Sequence, residues 1–415
     1  MLIQEPIHGA VEGTHGQESD RPLSALLSQA LVAFTLEFDN EFERLMDESG
    51  YHGAHLSMLA WTNLMRFIPG NGLTVRELAT LALSEQKQVK FMLGCLERWG
   101  YIALGAPTAT GQSVDIRQPG AVGQSNGWGS GRGIGAGWMV WLTGKGAQAR
   151  AIWPPLFSTI EQRWRDRFGA ARFDRLRGSL LAIESGLNVV LPHGLLDVRH
   201  RKQAFPVRVS AGVQALSLPI LLSQVLLAFA IEFEPASEAP LALCANALRV
   251  LGEKPIPVKE IPRLTGGSPE EAGVGWRHRP YVVVETDSAG GRGKSVRLTA
   301  RGIDAQKAYD RLVDVIEKRW VHRFGSGVMQ GLRESLLGLF DAGTNERPLI
   351  AEGLIAPPGT VRAGEIAPSL GRRLVGSAAR QRARDMVAQN EAFVANPATA
   401  LPHYPMWDMN RGFGP

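Results

Sequence analysis

Apolar residues recur on a helical period in two stretches of the chain, densely enough that each needs a broad apolar partner. In 24–39 they are Leu26, Leu27, Ala30, Phe34 and Phe38; in 219–234 they are Leu221, Leu222, Val225, Phe229 and Phe233. The two stretches align without a gap, SALLSQALVAFTLEFD against PILLSQVLLAFAIEFE. A second pair follows, in which 142–181 matches 298–337 at 17 of 40 positions, from LTGKG and LTARG through IEQRW and IEKRW to RGSLL and RESLL. Two copies of one unit, sharing their first and last helices, follow from this self-similarity.

Between the shared ends lies a shorter, more polar middle. In copy 1, TNLMRFI (62–68) precedes a Pro-Gly-Asn-Gly turn, then TVRELATLAL (74–83) and SEQKQVKFMLGCLERWGYI (84–102). In copy 2 the counterparts are ANALRVL (245–251), PVKEIPRLT (257–265) and SPEEAGVGWRHRPYVVV (268–284). Each reads as helix, short helix, helix and β hairpin, with Thr74, Ser84 and Ser268 as N-caps and Pro269 in a first turn. The predicted organisation is a tail (1–22), a first domain (23–185), a linker (186–217), a second domain (218–341) and a C-terminal extension (342–415). The fold class is mainly α with small β elements.

The run Ala211 to Ile231 holds no charge over 21 residues. Pro219 belongs in a first helical turn, Gln214 and Gln224 interrupt the run, and Glu232 and Glu234 end it, leaving about 15 helical residues, too few for a ~30 Å bilayer. A central buried helix is expected, with no membrane partner. No secretion signal is recognisable in the first residues, and Cys95 and Cys244 are too few for a disulfide framework, so a cytoplasmic location is expected. Lys and Arg (45) exceed Asp and Glu (40), a mild excess that permits a nucleic-acid partner without requiring one.

Copy 2 continues Tyr281-Val-Val-Val-Glu-Thr-Asp287, Gly290-Gly-Arg292-Gly-Lys294-Ser-Val-Arg-Leu298-Thr299 and then Gly302. A hairpin with an Asp and an Arg a few residues apart, running into V-x-L-T-x-x-G and flanked by long helices, resembles the MarR family of winged-helix regulators, over about 23–185 and 218–340. The resemblance implies two tandem winged helix-turn-helix domains that pair through their first and last helices as an intramolecular pseudo-dimer. It further implies double-stranded DNA as partner and a small aromatic ligand in a crevice beside Trp61, Phe67 and Trp99. Copy 1 departs in its long Gly-rich wing, about 105–137, which lacks the Asp/Arg pair. Copy 2 departs in its second helix, shortened by Gly273, Gly275 and Pro280 and opened by Glu270 and Glu271.

On helical geometry Val89, Met92, Leu93 and Leu96 form a buried stripe, leaving Ser84, Lys87, Phe91, Gly94 and Arg98 opposite, with Lys90 beside them. In a major groove Gln86 and Lys87 would reach base edges or phosphates. In copy 2 the candidates are Arg292, Lys294 and Arg297 of the wing, a Gly-flanked basic tip suited to a narrow minor groove. Trp164 and Trp320, at equivalent places, are expected in the core, and Glu37 and Glu232 are expected to pair with Arg163 and Arg319.

Other motifs carry less. Tyr51-His52-Gly-Ala-His55 near Asp47 and Glu48 has metal-ligand types but no third fixed ligand, so no metal is expected. The segment 126–137 lacks the Lys-Ser/Thr of a phosphate loop. No nucleophile–base pair, paired carboxylates or cofactor fingerprint is present, so neither enzyme activity nor a cofactor is expected. Arg199-His200-Arg201-Lys202 is solvated or meets phosphates, and a helix over 372–394 bearing Arg372, Arg373, Arg380, Arg382 and Arg384 docks on the two copies or meets phosphates. The triplet LPH occurs at 191–193 and again at 401–403. The expected function is a small-molecule-responsive transcription regulator; the alternative is an interaction scaffold whose winged helices no longer bind DNA.

Overall fold

The computed structural model describes residues 21–52, 56–107, 114–116, 133–195, 216–266, 280–286, 294–343, 347–358 and 377–405. The chain is mainly helical with two small antiparallel sheets. Copy 1 contributes α1 (Leu23–Glu48), α2 (Met58–Asn63), α3 (Val75–Leu81), α4 (Gln86–Arg98), α5 (Gly144–Phe168) and α6 (Ala170–Ser185). Copy 2 contributes α7 (Leu218–Phe233), α8 (Leu241–Asn246), α9 (Ile261–Thr265), α10 (Ala300–Phe324) and α11 (Ser326–Leu337).

The long helices assemble across the copies: α1 packs on α7, and α6 on both α11 and α7. All ten apolar positions read from the helical period are fully buried. Leu218–Ala236 is long and apolar enough to cross a membrane, and 83% of its apolar window is buried inside the protein. Its partner surface is therefore α1 and α6. Pro219 sits in the first turn, where its missing N–H leaves no helical bond unmade.

Each copy carries a hairpin on its α2–α4 or α8–α9 segment. In copy 1, β1 (Leu73–Thr74) pairs with β4 (Met139–Leu142), which pairs with β2 (Ile102–Pro107), which pairs with β3 (Val114–Ile116). In copy 2, β5 (Ile256–Pro257), β7 (Lys294–Leu298) and β6 (Val282–Thr286) follow the same order without the extra strand. The repeated L-T-x-x-G has one physical explanation in both places. Thr143 and Thr299 cap α5 and α10, accepting the N–H of Gly146 and Gly302 at 3.2 and 3.0 Å. Those glycines lie so close to the Tyr101 and Tyr281 carbonyls that a Cβ would stand 2.1 and 2.2 Å from the oxygens.

Two local expectations are corrected. Thr74 does cap α3, in a reciprocal capping box with Glu77. Ser84, however, is not the N-cap of α4; Glu85 occupies that place with no side-chain cap. Ser84 instead finishes α3: Leu83 takes a left-handed φ of 49°, its N–H binds the Thr80 carbonyl, and the Ser84 N–H binds Ala79. This is a Schellman ending with leucine where glycine is usual. The second correction concerns Glu37, which pairs with Arg167 rather than Arg163 (2.8 Å), while Arg163 reaches Glu41 (3.1 Å). Helices α1 and α5 run antiparallel, so moving one turn forward on one means one turn back on the other. In copy 2 position 236 is Ala, so Glu232 takes both Arg319 (3.1 Å) and Arg323 (3.6 Å). Trp164 and Trp320 are fully buried and donate to Glu37 and Glu232 at 2.9 and 3.0 Å.

Candidate nucleic-acid interface

The α4 helix is held by its apolar face. Val89, Met92, Leu93 and Leu96 are buried as the pattern predicts, joined by Cys95. Two tethers fix its neighbours: Val75 and Arg76 donate backbone N–H groups to Trp138 and Ala136 at 2.9 and 3.0 Å, tying α3 to the run into β4. The face left to solvent carries Gln86, Lys87 and Arg98, while Ser84, Lys90, Phe91 and Gly94 are half-buried. Arg76 is also exposed on α3. It escaped the sequence reading because it lies on the first helix of the pair, whose charges carried no separate pattern. Glu77 and Glu85 are exposed as well, and the Glu77 carboxylate is taken by Thr74.

Copy 2 supplies less of the expected set. Ser268, Pro269, Glu270, Glu271 and Arg292 lie outside the described residues. Lys294 is exposed at the start of β7. Arg297 is half-buried and committed: its Nε donates to Glu285 Oε1 at 2.9 Å and its Nη2 lies 2.8 Å from the same oxygen. The two residues are diagonal neighbours across the β6–β7 ladder, which brings long side chains together. Lys294 and Arg297 therefore differ sharply in the charge they present.

A small cavity of about 50 Å³ opens beside the start of α4, lined by Asn63, Arg66, Phe67, Ser84, Gln88, His193 and Gln224. By volume it holds a few water-sized groups. Arg66 lies over the Phe67 ring at 4.3 Å, and burial draws its guanidinium down to about 10. Its Nε and the Oε1 of Gln224 make no hydrogen bond within the protein among the described atoms. The duplication offers a signal for both residues, since Arg66 matches Arg249 and Gln224 matches Gln29. At the duplicated site, made by Arg249 of copy 2 and Gln29 of copy 1, the matching groups are satisfied: Arg249 donates to the Ala245 and Leu264 carbonyls, and Gln29 Oε1 accepts from Arg21. Of the three aromatics named for a ligand crevice, Phe67 lines this cavity and Trp99 does not. Nor does Trp61, which packs in the core on Trp153 at 4.7 Å between ring centres.

His52 lies 3.5 Å from Asp47, and His55 falls outside the described residues. Among the described residues no three His, Cys, Asp or Glu side chains come together as a metal site. The 199–202 cluster and Arg372 and Arg373 also fall outside, whereas Arg384 is exposed on the helix Ser377–Ala395. Compared with protein-family models, curated proteins and solved structures, the chain matches none of them.

Proposed function

We propose that the chain is a cytoplasmic DNA-binding transcription regulator, two winged helices joined as an internal pseudo-dimer that grips duplex DNA. The observation that carries this reading is the outward face of α4: Gln86, Lys87 and Arg98 stand in solvent on a helix whose opposite side is anchored in the core. The sheet order, first strand beside last strand beside second, is that of a winged helix and occurs in both copies. Lysine and arginine at this place meet phosphates, and Gln86 at the helix start meets a base edge. A small aromatic effector acts at the seam between copy 1 and α7, where the cavity beside Arg66 and Gln224 must widen from its present volume of about 50 Å³ to admit a ring. Its binding shifts the separation of the two halves, by differential affinity for the two arrangements. Mobility shift against the region upstream of the protein's own gene tests the reading. Sequence-preferring, salt-sensitive binding is expected; binding that ignores both sequence and salt overturns it.

One observation favours the scaffold alternative. Leu81 and Leu83 are 51% and 40% exposed, and Leu83 holds a left-handed backbone that costs a non-glycine residue about 1 kcal/mol. An apolar tip kept at such a cost suits a protein partner. Leu81→Ser with Leu83→Ser, set beside Lys87→Ala, separates the two: a scaffold loses its partner with the first variant and is indifferent to the second.

A further inference from the structure

The repeated unit is longer than its helices. After α6 the segment 187–195 returns through the first LPH triplet, and after the helix Ser377–Ala395 the segment 397–405 returns through the second. Both are gripped by equivalent residues. In copy 1, Asn63 donates to the Leu195 carbonyl at 3.0 Å and accepts the Leu195 N–H at 2.7 Å. In copy 2, Asn246 donates to the Tyr404 carbonyl at 2.9 Å and accepts the Tyr404 N–H at 3.0 Å. The other wall of each groove comes from the opposite copy. Gln224 and Ser223 of α7 donate to carbonyls of Leu191, Pro192 and Gly194 at 3.1 to 3.3 Å. Gln29 and Ser28 of α1 donate to Ala398, Leu401 and Pro402 at 2.9 to 3.1 Å.

We infer that the groove between α8 and α1 is a peptide-binding site, and that 397–405 is its in-chain ligand. The contacts are those of peptide recognition: a bidentate carboxamide on one residue's backbone, carboxamide and hydroxyl donors on three more carbonyls, and buried Leu401 and Tyr404 as apolar anchors. Both segments are held by the same three residue types, an asparagine, a glutamine and a serine, at duplicated positions. The two occupants differ in how they are held. Segment 187–195 leads into the linker between the copies, whereas 397–405 lies beyond every helix that the copies share, so it can leave without breaking the connection between them. The short helix Pro397–Ala400 packs against α9, whereas Gln389 of the preceding helix donates to the Gly266 carbonyl and keeps that hold when 397–405 leaves.

The test uses the chain ending at Asn396 and the synthetic peptide of residues 397–405, PATALPHYP. Loss of the segment is expected to lower the thermal midpoint by about 5 °C or more, and the added peptide to restore it saturably. Asn246→Ala in the shortened chain abolishes the restoration. An unchanged midpoint overturns the inference, as does equal restoration by a scrambled peptide. Should the shortened chain fail to fold, full-length Asn246→Ala and Asn63→Ala are compared by limited proteolysis: faster cleavage inside 397–405 in the first alone supports the site, and equal rates overturn it. None of these readouts involves DNA, so the inference and the proposed function fail separately.

Discussion

Glu317 accepts the backbone N–H of Leu23 at 2.7 Å, and the equivalent Glu161 accepts that of Leu218 at 2.6 Å. Each copy thus caps the first helix of the other, from the same position of its own long helix. The flanking arginines repeat the exchange: Arg333 donates to the Arg21 carbonyl at 2.8 Å and Arg177 to the Leu216 carbonyl at 2.6 Å. Orphan donors at a buried helix start are satisfied only when both copies are in place, so the halves fold as one unit.

Glu161→Ala should therefore destabilise α7, in the other copy, by about 1–2 kcal/mol, the cost of an unpaired buried N–H. Hydrogen exchange at 218–222 measures it. Burial pushes the Glu161 carboxyl up from its ordinary 4.5. A raised carboxyl binds its proton better when folded, so its stabilising contribution is full below about 4.5 and is lost as pH rises through the raised value. Glu161→Gln keeps an acceptor without the charge and should cost less than Glu161→Ala at pH 7. Equal losses would show that the charge, not the acceptor, is what Leu218 requires.

The two Trp–Glu pairs predict unequal costs. Glu37 is almost fully buried, accepts from Trp164, meets Arg167 with both oxygens, and is covered by Gly353, whose Cβ would stand 2.0 Å from its Oε2. Glu232 meets arginines whose side chains remain 57% and 34% exposed. Removing Glu37 leaves the buried Trp164 N–H without its acceptor and the buried Arg167 with only the exposed Glu352 at 3.3 Å, so Glu37→Ala should lose about 3 kcal/mol, against about 1 for Glu232→Ala. Urea unfolding of the two variants settles the order.

What could be read from the sequence was what the helical period and the duplication record directly. The stripes on α1, α7 and α4 are buried because a period of 3.6 fixes a face whatever lies opposite it. The Glu37 pair was one turn out, because a sequence shows which residues share a helix face but not which way the facing helix runs, whereas Glu232 meets Arg319 as expected. The end of α3 was misread because Ser84 is an ordinary N-cap residue, and only the left-handed turn at Leu83 reveals that its N–H is already used. The LPH segments were visible as a repeat yet mute, since Asn63 and Asn246 lie 132 and 158 residues from the backbone they hold.

His403 carries the pH dependence of the tail. It is buried among 397–405, and burial, followed by the nearby cations Arg249 and Arg21, holds its imidazole well below the ordinary 6.5. A base with a depressed folded value binds protons better when unfolded, so its contribution is present above about 6.5 and is lost as the pH falls below it. Melting curves between pH 7.5 and 5 should show wild type losing more stability than His403→Gln. Parallel losses would place the acid sensitivity elsewhere.

Lys87 and Arg297 provide the comparison on which the DNA reading turns. Lys87 is exposed at the start of α4, with its charge available to phosphate, whereas Arg297 spends its guanidinium on Glu285. A phosphate contact adds roughly one unit to the slope of log affinity against log salt, so Lys87→Ala should weaken binding across all sequences and reduce that slope by about one. Arg297→Ala should change the slope less, because freeing Glu285 removes an ion pair before it removes a contact. Gln86→Ala should leave the slope alone and relax preference at a single base position. Fluorescence anisotropy titrations from 50 to 200 mM salt separate the three. If Lys87→Ala leaves both affinity and slope untouched, the exposed face of α4 does not meet DNA.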